Sequence, residues 1–194
     1  MLRAPGPATL DAALADACRL LTRGVGDRRS PFHTPTLATV TAAGLPTLRT
    51  VVLRSFDAEA RQLRVHTDRR SAKYAELQAA PQAALHGYDA AAQVQIRLGG
   101  RVSRHADDPL ADAAWAGSHP GSRLCYAVTP GPGTPAAAPP TAPQALDAAA
   151  RGNFAALVLQ FDTLEWLWLA AAGHRRAHFA WNAAGDCAAS WLVP

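Results

Sequence analysis

Short runs rich in β-branched and aromatic residues recur along this chain, most of them separated by turns rather than by helices. "PTLATVTAAGLPTLRTVVLRSF" holds two such runs joined around Ala43-Gly44, a hairpin signal, and "RQLRVHT" follows a turn at Asp57 to Ala60. "QAALHGY" and "QVQIRLGGRVSRH" come next, the Gly99-Gly100 pair marking a bulge or a close approach by another group. Toward the end, "NFAALVLQF", "LEWLWLA", "RRAHFAW" and "CAASWLVP" read as four more strands. Many short strands, few helices and no regular βαβ alternation predict a mostly antiparallel barrel, mostly β with flanking α helices. The edges of such a barrel need a partner or a covering helix.

Helices are expected at three places. In "TLDAALADACRLLTRG" (helix 9–23), Thr9 caps, Leu10, Leu14, Cys18 and Leu21 form a stripe, and Gly24 stops the helix. "SAKYAELQAAP" starts at Ser71 and ends before Pro81, and "DDPLADAAWAG" has Asp108 as cap and Pro109 in its first turn. The Pro-rich stretch 129–143 continues no regular element and reads as a loop. A chain of 194 residues is long enough for one good core, so residues 1–194 are expected to form a single domain.

With 49% hydrophobic and 18% charged residues, the composition is that of an ordinary globular protein. No apolar run approaches the roughly 20 residues that span a bilayer, and "MLRAPGPATL" lacks an apolar signal core, so a cytoplasmic location is expected. Cys18, Cys125 and Cys187 are too few and too far apart for a disulfide framework or a metal knuckle and read as buried thiols. The seven histidines show no H-E-x-x-H spacing, and no metal is expected. The net charge of +4 comes with 18 arginines and a single lysine, Lys73. Without a helix-turn-helix, zinc-finger or RNP-like pattern, nucleic acid is not an expected partner, and an anionic small molecule is the simpler account.

The stretch "RTVVLR" (49–54) sharpens that idea. If it is one strand, Arg49 and Arg54 point to opposite faces, and at least one guanidinium needs a partner. The next strand runs into "DRRSAK", a helix start, where free backbone N–H groups attract anions. Ser71, Lys73 and one of the arginines would together make a phosphate cradle. The alternative is that Ser71 merely caps a helix while the basic residues sit in solvent, and spacing alone leaves both open. Trp166 and Trp168, alternating on one strand face, read as core or interface packing.

The same residues resemble the pyridoxamine 5′-phosphate oxidase family, whose flavin pattern runs R-x-V-L-L-K, Y-T, S-R-K and Q-V-R-V-x-G. "LATVTAAGLPTLRTVVLRSFD", "LRVHTDRRSAKYAELQAAPQAAL" and "QIRLGGRV" carry the likeness, and the closing "WLVP" is similar to the family's terminal R-L-x-P. The resemblance implies a split β-barrel that forms homodimers with FMN at the subunit interface. Arg49 would then hold the FMN phosphate, and the backbone of Thr50, Val51, Val52 and Leu53 would line the isoalloxazine ring. Arg54 stands where the family has lysine near the ring. His66 and Thr67 fall on Y-T, Ser71 and Lys73 on the ends of S-R-K, and Gln95 on the glutamine of the last motif.

Departures from the pattern concern the substrate side. Ala72 replaces the middle arginine of S-R-K, and the family's R-x-H-D-R becomes "RRAHF", with Arg175 matched to substrate, Ala177 in place of histidine, and Arg176 or His178 on the flavin side. Trp115, His119 and Ser122 occupy the mid-chain substrate positions. The resemblance thus implies an FMN-dependent oxidoreductase acting on a small molecule, with the pyridoxamine-phosphate clamp eroded. The alternatives are a non-catalytic flavin- or haem-binding module and a true pyridoxamine 5′-phosphate oxidase with an altered clamp.

Overall fold

The computed structural model describes residues 6–141, 143–147, 149–171 and 173–194. Residues 1–5, read above for a leader, and Ala142 of the Pro-rich stretch lie outside the described residues. Nine strands form one sheet in which every pairing is antiparallel. They are β1 (Thr36–Val40), β2 (Pro46–Thr50), β3 (Leu53–Asp57), β4 (Gln62–Asp68), β5 (Gln82–Asp89), β6 (Val94–His105), β7 (Phe154–Trp168), β8 (Arg175–Trp181) and β9 (Cys187–Leu192). Helices α1 (Leu10–Gly26), α2 (Ala72–Ala79), α3 (Pro109–Ala116), α4 (Pro120–Arg123) and α5 (Ala149–Asn153) flank the sheet. The expected mostly β architecture with flanking helices is the one observed. Among the described residues no helix is long and apolar enough to cross a membrane.

The strand β7 is the spine. One edge carries β6 along nearly its whole length, from Ala156 opposite His105 to Trp168 opposite Val94. The other edge is shared: β4 takes the first half, with Asp68 opposite Phe154, and β8 the second, with Arg175 opposite Trp168. The sheet therefore forks, with β4–β3 leaving at one end and β8–β9 at the other. The runs "NFAALVLQF" and "LEWLWLA", expected as two strands, are one. Asp162 between them is exposed and is the residue skipped at the β6–β7 register shift, but the strand β7 runs on through it.

The Gly99-Gly100 pair is the register shift between β6 and β7. A Cβ at Gly100 would lie 2.1 Å from the Gln160 carbonyl oxygen, so both readings of the pair, bulge and close approach, hold. Gly44, at φ +80°, makes the expected β1–β2 turn.

Helix α1 begins as expected, with the Thr9 hydroxyl accepting from the Ala12 N–H at 3.2 Å, but it runs on through Gly24 to Gly26. Gly24 is a packing residue, not a stop: a Cβ there would meet the Phe32 carbonyl oxygen at 2.7 Å. The buried face is Ala13, Ala17, Leu20, Leu21 and Gly24, which lets the helix lie close to the sheet, while Leu10 and Leu14 pack at its margin. Trp166 is fully buried in this core and its indole N–H donates to Asp16 of α1 at 3.0 Å, so its cover comes from its own chain. The cysteines are not buried thiols: Cys125 and Cys187 are exposed and Cys18 is half-buried. Cys187 opens β9, an edge strand exposed along its length. A second, smaller core of Ala114, Tyr126, Ala150, Phe154 and Ala156 joins α3 and α5 to the start of β7.

Candidate functional site

The stretch 49–54 is not a single strand. Chain β2 ends at Thr50, Val51 donates its N–H to the Pro35 carbonyl at 2.9 Å, and β3 begins at Leu53. Strand β2 pairs with β1, and β3 with β4, at opposite ends of the strand order. The parity argument, which needs a continuous strand, does not apply, and the two arginines belong to different surroundings. Val51 and Leu53 are buried, so their side chains belong to the core.

At the junction of β4 and α2, Thr67, Ser71 and Lys73 come together. The Lys73 ammonium donates to the Thr67 hydroxyl at 3.1 Å and to Ser71 Oγ at 3.3 Å. Ser71 precedes α2 but makes no side-chain cap; its hydroxyl donates instead to the Asp68 carbonyl at 2.6 Å. The two acids flanking Lys73 in sequence are both taken: Asp68 by Arg70, whose Nη2 lies 2.6 Å from Oδ2, and Glu76 by Arg49 at 2.9 Å. Among the described residues Lys73 has no ion-pair partner, and burial, followed by the neighbouring Arg49 charge, pushes its pKa below the ordinary lysine value. A desolvated cation held by two neutral hydroxyls at a helix start could pair with an anion. The reading in which Ser71 caps the helix is not the geometry found.

Arg49, expected to grip the phosphate, is already engaged. Its Nη1 donates to the Thr39 hydroxyl and, at 3.5 Å, to the Leu37 carbonyl. Its Nη2 donates to the Thr47 hydroxyl at 2.8 Å and to Glu76 Oε2 at 2.9 Å. Glu76, on α2, was not singled out from the sequence, where a helical glutamate reads as a solvated face.

Arg54 sits at a register irregularity between β3 and β4. Its Nε, the Nε of Arg64 and Nε2 of His66 are buried and have no hydrogen-bond partner among the described residues. Burial, then the Arg54 and Arg64 charges, push the His66 pKa down to about 4, so this imidazole is neutral at neutral pH. Its ring stands edge-on to Phe154 at 4.9 Å, with Ser118 Oγ 3.4 Å from Nδ1. Arg64 escaped sequence reading, although strand alternation puts it on the same face as His66.

The mid-chain positions divide. Trp115 packs edge-on to Phe154 at 5.3 Å and to Tyr126 at 5.8 Å, with the Arg123 guanidinium 5.2 Å from its ring, so it borders the His66 surroundings. His119 is exposed and its Nδ1 accepts from the Gly121 N–H at 3.1 Å, starting α4; Ser122 lies within that helix.

Gln95, Arg175, Arg176 and His178 are not brought to Lys73 within the chain. Thr67 pairs with Ala155 and Arg176 with Leu167, which at about 3.3 Å per residue is roughly 40 Å along β7. Arg176 pairs with Glu165 at 2.7 Å, and His178 stands opposite that glutamate. Gln95 Oε1 lies 3.2 Å from His86 Nε2. Arg175 donates to the Gly6 and Pro7 carbonyls at 2.6 and 2.7 Å, anchoring the N-terminal segment.

Comparison with known proteins gives one consistent picture. Residues 15–106 match the family model described as pyridoxamine 5′-phosphate oxidase, FMN-binding domain. A curated relative, pyridoxine/pyridoxamine 5′-phosphate oxidase 2 of Arabidopsis thaliana, is 35% identical over 106 residues, covering 51% of this chain. The match spans about half (53%) of that relative's length. A pyridoxamine 5′-phosphate oxidase-related, FMN-binding protein of Nostoc punctiforme superposes with TM-score 0.72 at 27% identity, covering 99% of this chain and 98% of its own. PhzG of Burkholderia lata, solved with tetrahydrophenazine-1-carboxylic acid, shares the fold at TM-score 0.69 and 20% identity, covering 98% of this chain and 94% of its own. The forked antiparallel sheet is thus the split barrel of pyridoxamine 5′-phosphate oxidase-like FMN-binding proteins, and residues 15–106 of the chain are similar to that family's FMN-binding domain.

Proposed function

We propose that this protein is a cytoplasmic, homodimeric, FMN-dependent oxidoreductase acting on a small molecule other than pyridoxamine phosphate. The observation that carries the reading is Lys73, the only lysine of the chain, half-buried among the Thr67 and Ser71 hydroxyls and without an ion-pair partner among the described residues. The residues present fit a flavin mononucleotide. Lys73, Ser71, Thr67 and the start of α2 would hold its phosphate, with the Arg49 charge alongside, and the backbone of Thr50 to Leu53 would line its ring near Arg54 and His66. Bound FMN supplies hydride transfer; the chain supplies binding, orientation and electrostatics.

A two-fold copy is part of the proposal for two reasons. Gln95, Arg176 and His178 lie far along β7 from Lys73, and a partner can bring its own set to the cradle. The β1–β2 hairpin also exposes Leu45 and Leu48 at 63% and 67%, beside an apolar cleft of about 530 Å³ lined by Ala38, Val40, Pro46, Ala84 and the two bulge glycines. Exposed apolar surface next to a cleft is what a subunit interface covers. On the substrate side, His119 offers a capping nitrogen instead of a guanidinium and Ala177 is buried in the core, which supports an altered substrate.

The test is turnover in a defined assembly. The FMN-loaded protein should sediment as a dimer, accept electrons from a nicotinamide donor, and reoxidise with oxygen or an added acceptor. A monomer that binds FMN tightly would overturn the shared site, and flavin that cannot be reduced by any such donor would overturn the oxidoreductase.

A further inference from the structure

Glu76 is not assigned by any motif, yet it closes the most heavily bonded polar network near the cradle. Its Oε2 accepts from the Thr39 hydroxyl at 2.5 Å, the Thr47 hydroxyl at 3.0 Å and Arg49 Nη2 at 2.9 Å. Both threonines in turn accept from Arg49, so guanidinium, hydroxyls and carboxylate form a closed set across β1, β2 and α2. Arg49 and Glu76 are 21% and 11% exposed, so the pair is largely shielded from water. A guanidinium has five donors. The two nitrogens at its tip already meet Thr39, Leu37, Thr47 and Glu76, and among the described residues only Nε–H is left.

We propose that Glu76 sets the phosphate affinity of the cradle. It compensates the charge of Arg49 inside the protein, keeps the tip of Arg49 away from a direct grip on the ligand, and leaves Lys73 as the cation that meets the anion. Glu76 is a positioning residue in this role, acting through Arg49. The inference rests on the phosphate-cradle reading above. A phosphate monoester carries about −1.5 to −2 at neutral pH, and at its site the opposite charges of Arg49 and Glu76 nearly cancel.

The consequence is a pattern that direct contact by Arg49 cannot produce. Glu76→Gln uncovers the Arg49 charge, and FMN should bind about fivefold to tenfold more tightly, as expected for one unit charge close by in a partly screened site. Arg49→Gln leaves the Glu76 carboxylate uncompensated and should weaken FMN by a similar or larger factor. The double variant Arg49→Gln/Glu76→Gln should return to within about twofold of the parent. Riboflavin, without the phosphate, should bind all four proteins alike. Flavin-fluorescence titrations of the full chain measure this set. A double variant as weak as Arg49→Gln alone, or weaker FMN binding in Glu76→Gln, would overturn the proposal.

A second readout needs no ligand. Because Lys73 is the only lysine, isotope labelling gives a single side-chain NMR signal to titrate. Arg49 lowers its pKa and Glu76 raises it, so the titration should move down in Glu76→Gln and return toward the parent in the double variant. No movement in either would count against the charge compensation. Lys73→Ala separates the two claims: if it leaves FMN affinity unchanged, the cradle itself is wrong. If it weakens FMN while the double variant stays weak, only the role of Glu76 is wrong.

Discussion

Consider Lys73→Ala. The substitution removes the one cation near the start of α2 that lacks an ion pair among the described residues, and leaves Thr67 and Ser71 bonded to each other at 3.1 Å. Because burial disfavours the ammonium, its loss should cost the apo fold little, and the thermal midpoint should stay within a few degrees of the parent. Phosphate binding should suffer. A hydrogen bond to a charged group contributes about 1.5–3 kcal/mol, so FMN affinity should fall roughly tenfold to a hundredfold. Riboflavin affinity should be unchanged. In the parent, FMN affinity should also decline as pH rises toward a lowered lysine pKa, while riboflavin affinity does not follow. Isothermal titration with both ligands decides the matter. An equal loss for FMN and riboflavin would mean that Lys73 is structural and that no phosphate sits there.

Three further outcomes are expected. The unfolded chain protonates His66 near pH 6.5 while the folded chain resists to about 4, so the unfolded state binds more protons and stability should fall by roughly 2–3 kcal/mol as pH drops through that window. Denaturant titrations at pH 7 and 4.5 should show a smaller drop for His66→Gln; an identical drop would place the histidine in solvent. Gly100→Ala would push a methyl against the Gln160 carbonyl, so the bulge must deform, at about 2 kcal/mol or more, and an unchanged melting temperature would refute that packing. Pyridoxal phosphate formation from pyridoxamine phosphate should run well below about 1 per second, and turnover above that rate would mean that Arg54, Arg64 or Arg123 rebuilds the clamp.

Much of the fold was legible because it depends on local chemistry. Thr9 and Asp108 cap their helices, Gly44 turns the hairpin, and Gly99-Gly100 marks the bulge, each through its own backbone and neighbours. What failed depended on partners distant in sequence. Gly24 looked like a stop because nothing local shows that Phe32 will press on it. The stretch 49–54 looked like one strand because its break at Val51 is set by the carbonyl of Pro35 and by separate pairing to β1 and β4. In the site, Thr67, Ser71 and Lys73 meet at the start of α2, whereas Gln95, Arg175 and Arg176 lie at the far end of β7, and Glu76 and Arg64 carried no motif. Their importance arises only when α2 is laid against the β1–β2 hairpin and β4 beside β3.

The central claim, that this chain holds FMN on a lysine-centred phosphate cradle, is tested most directly by the visible spectrum of the purified protein after incubation with FMN and removal of free ligand. Oxidised-flavin bands at close to one FMN per chain, abolished at the same concentrations by Lys73→Ala, are the predicted result. A protein that retains no flavin, or that instead shows a Soret band, would contradict it.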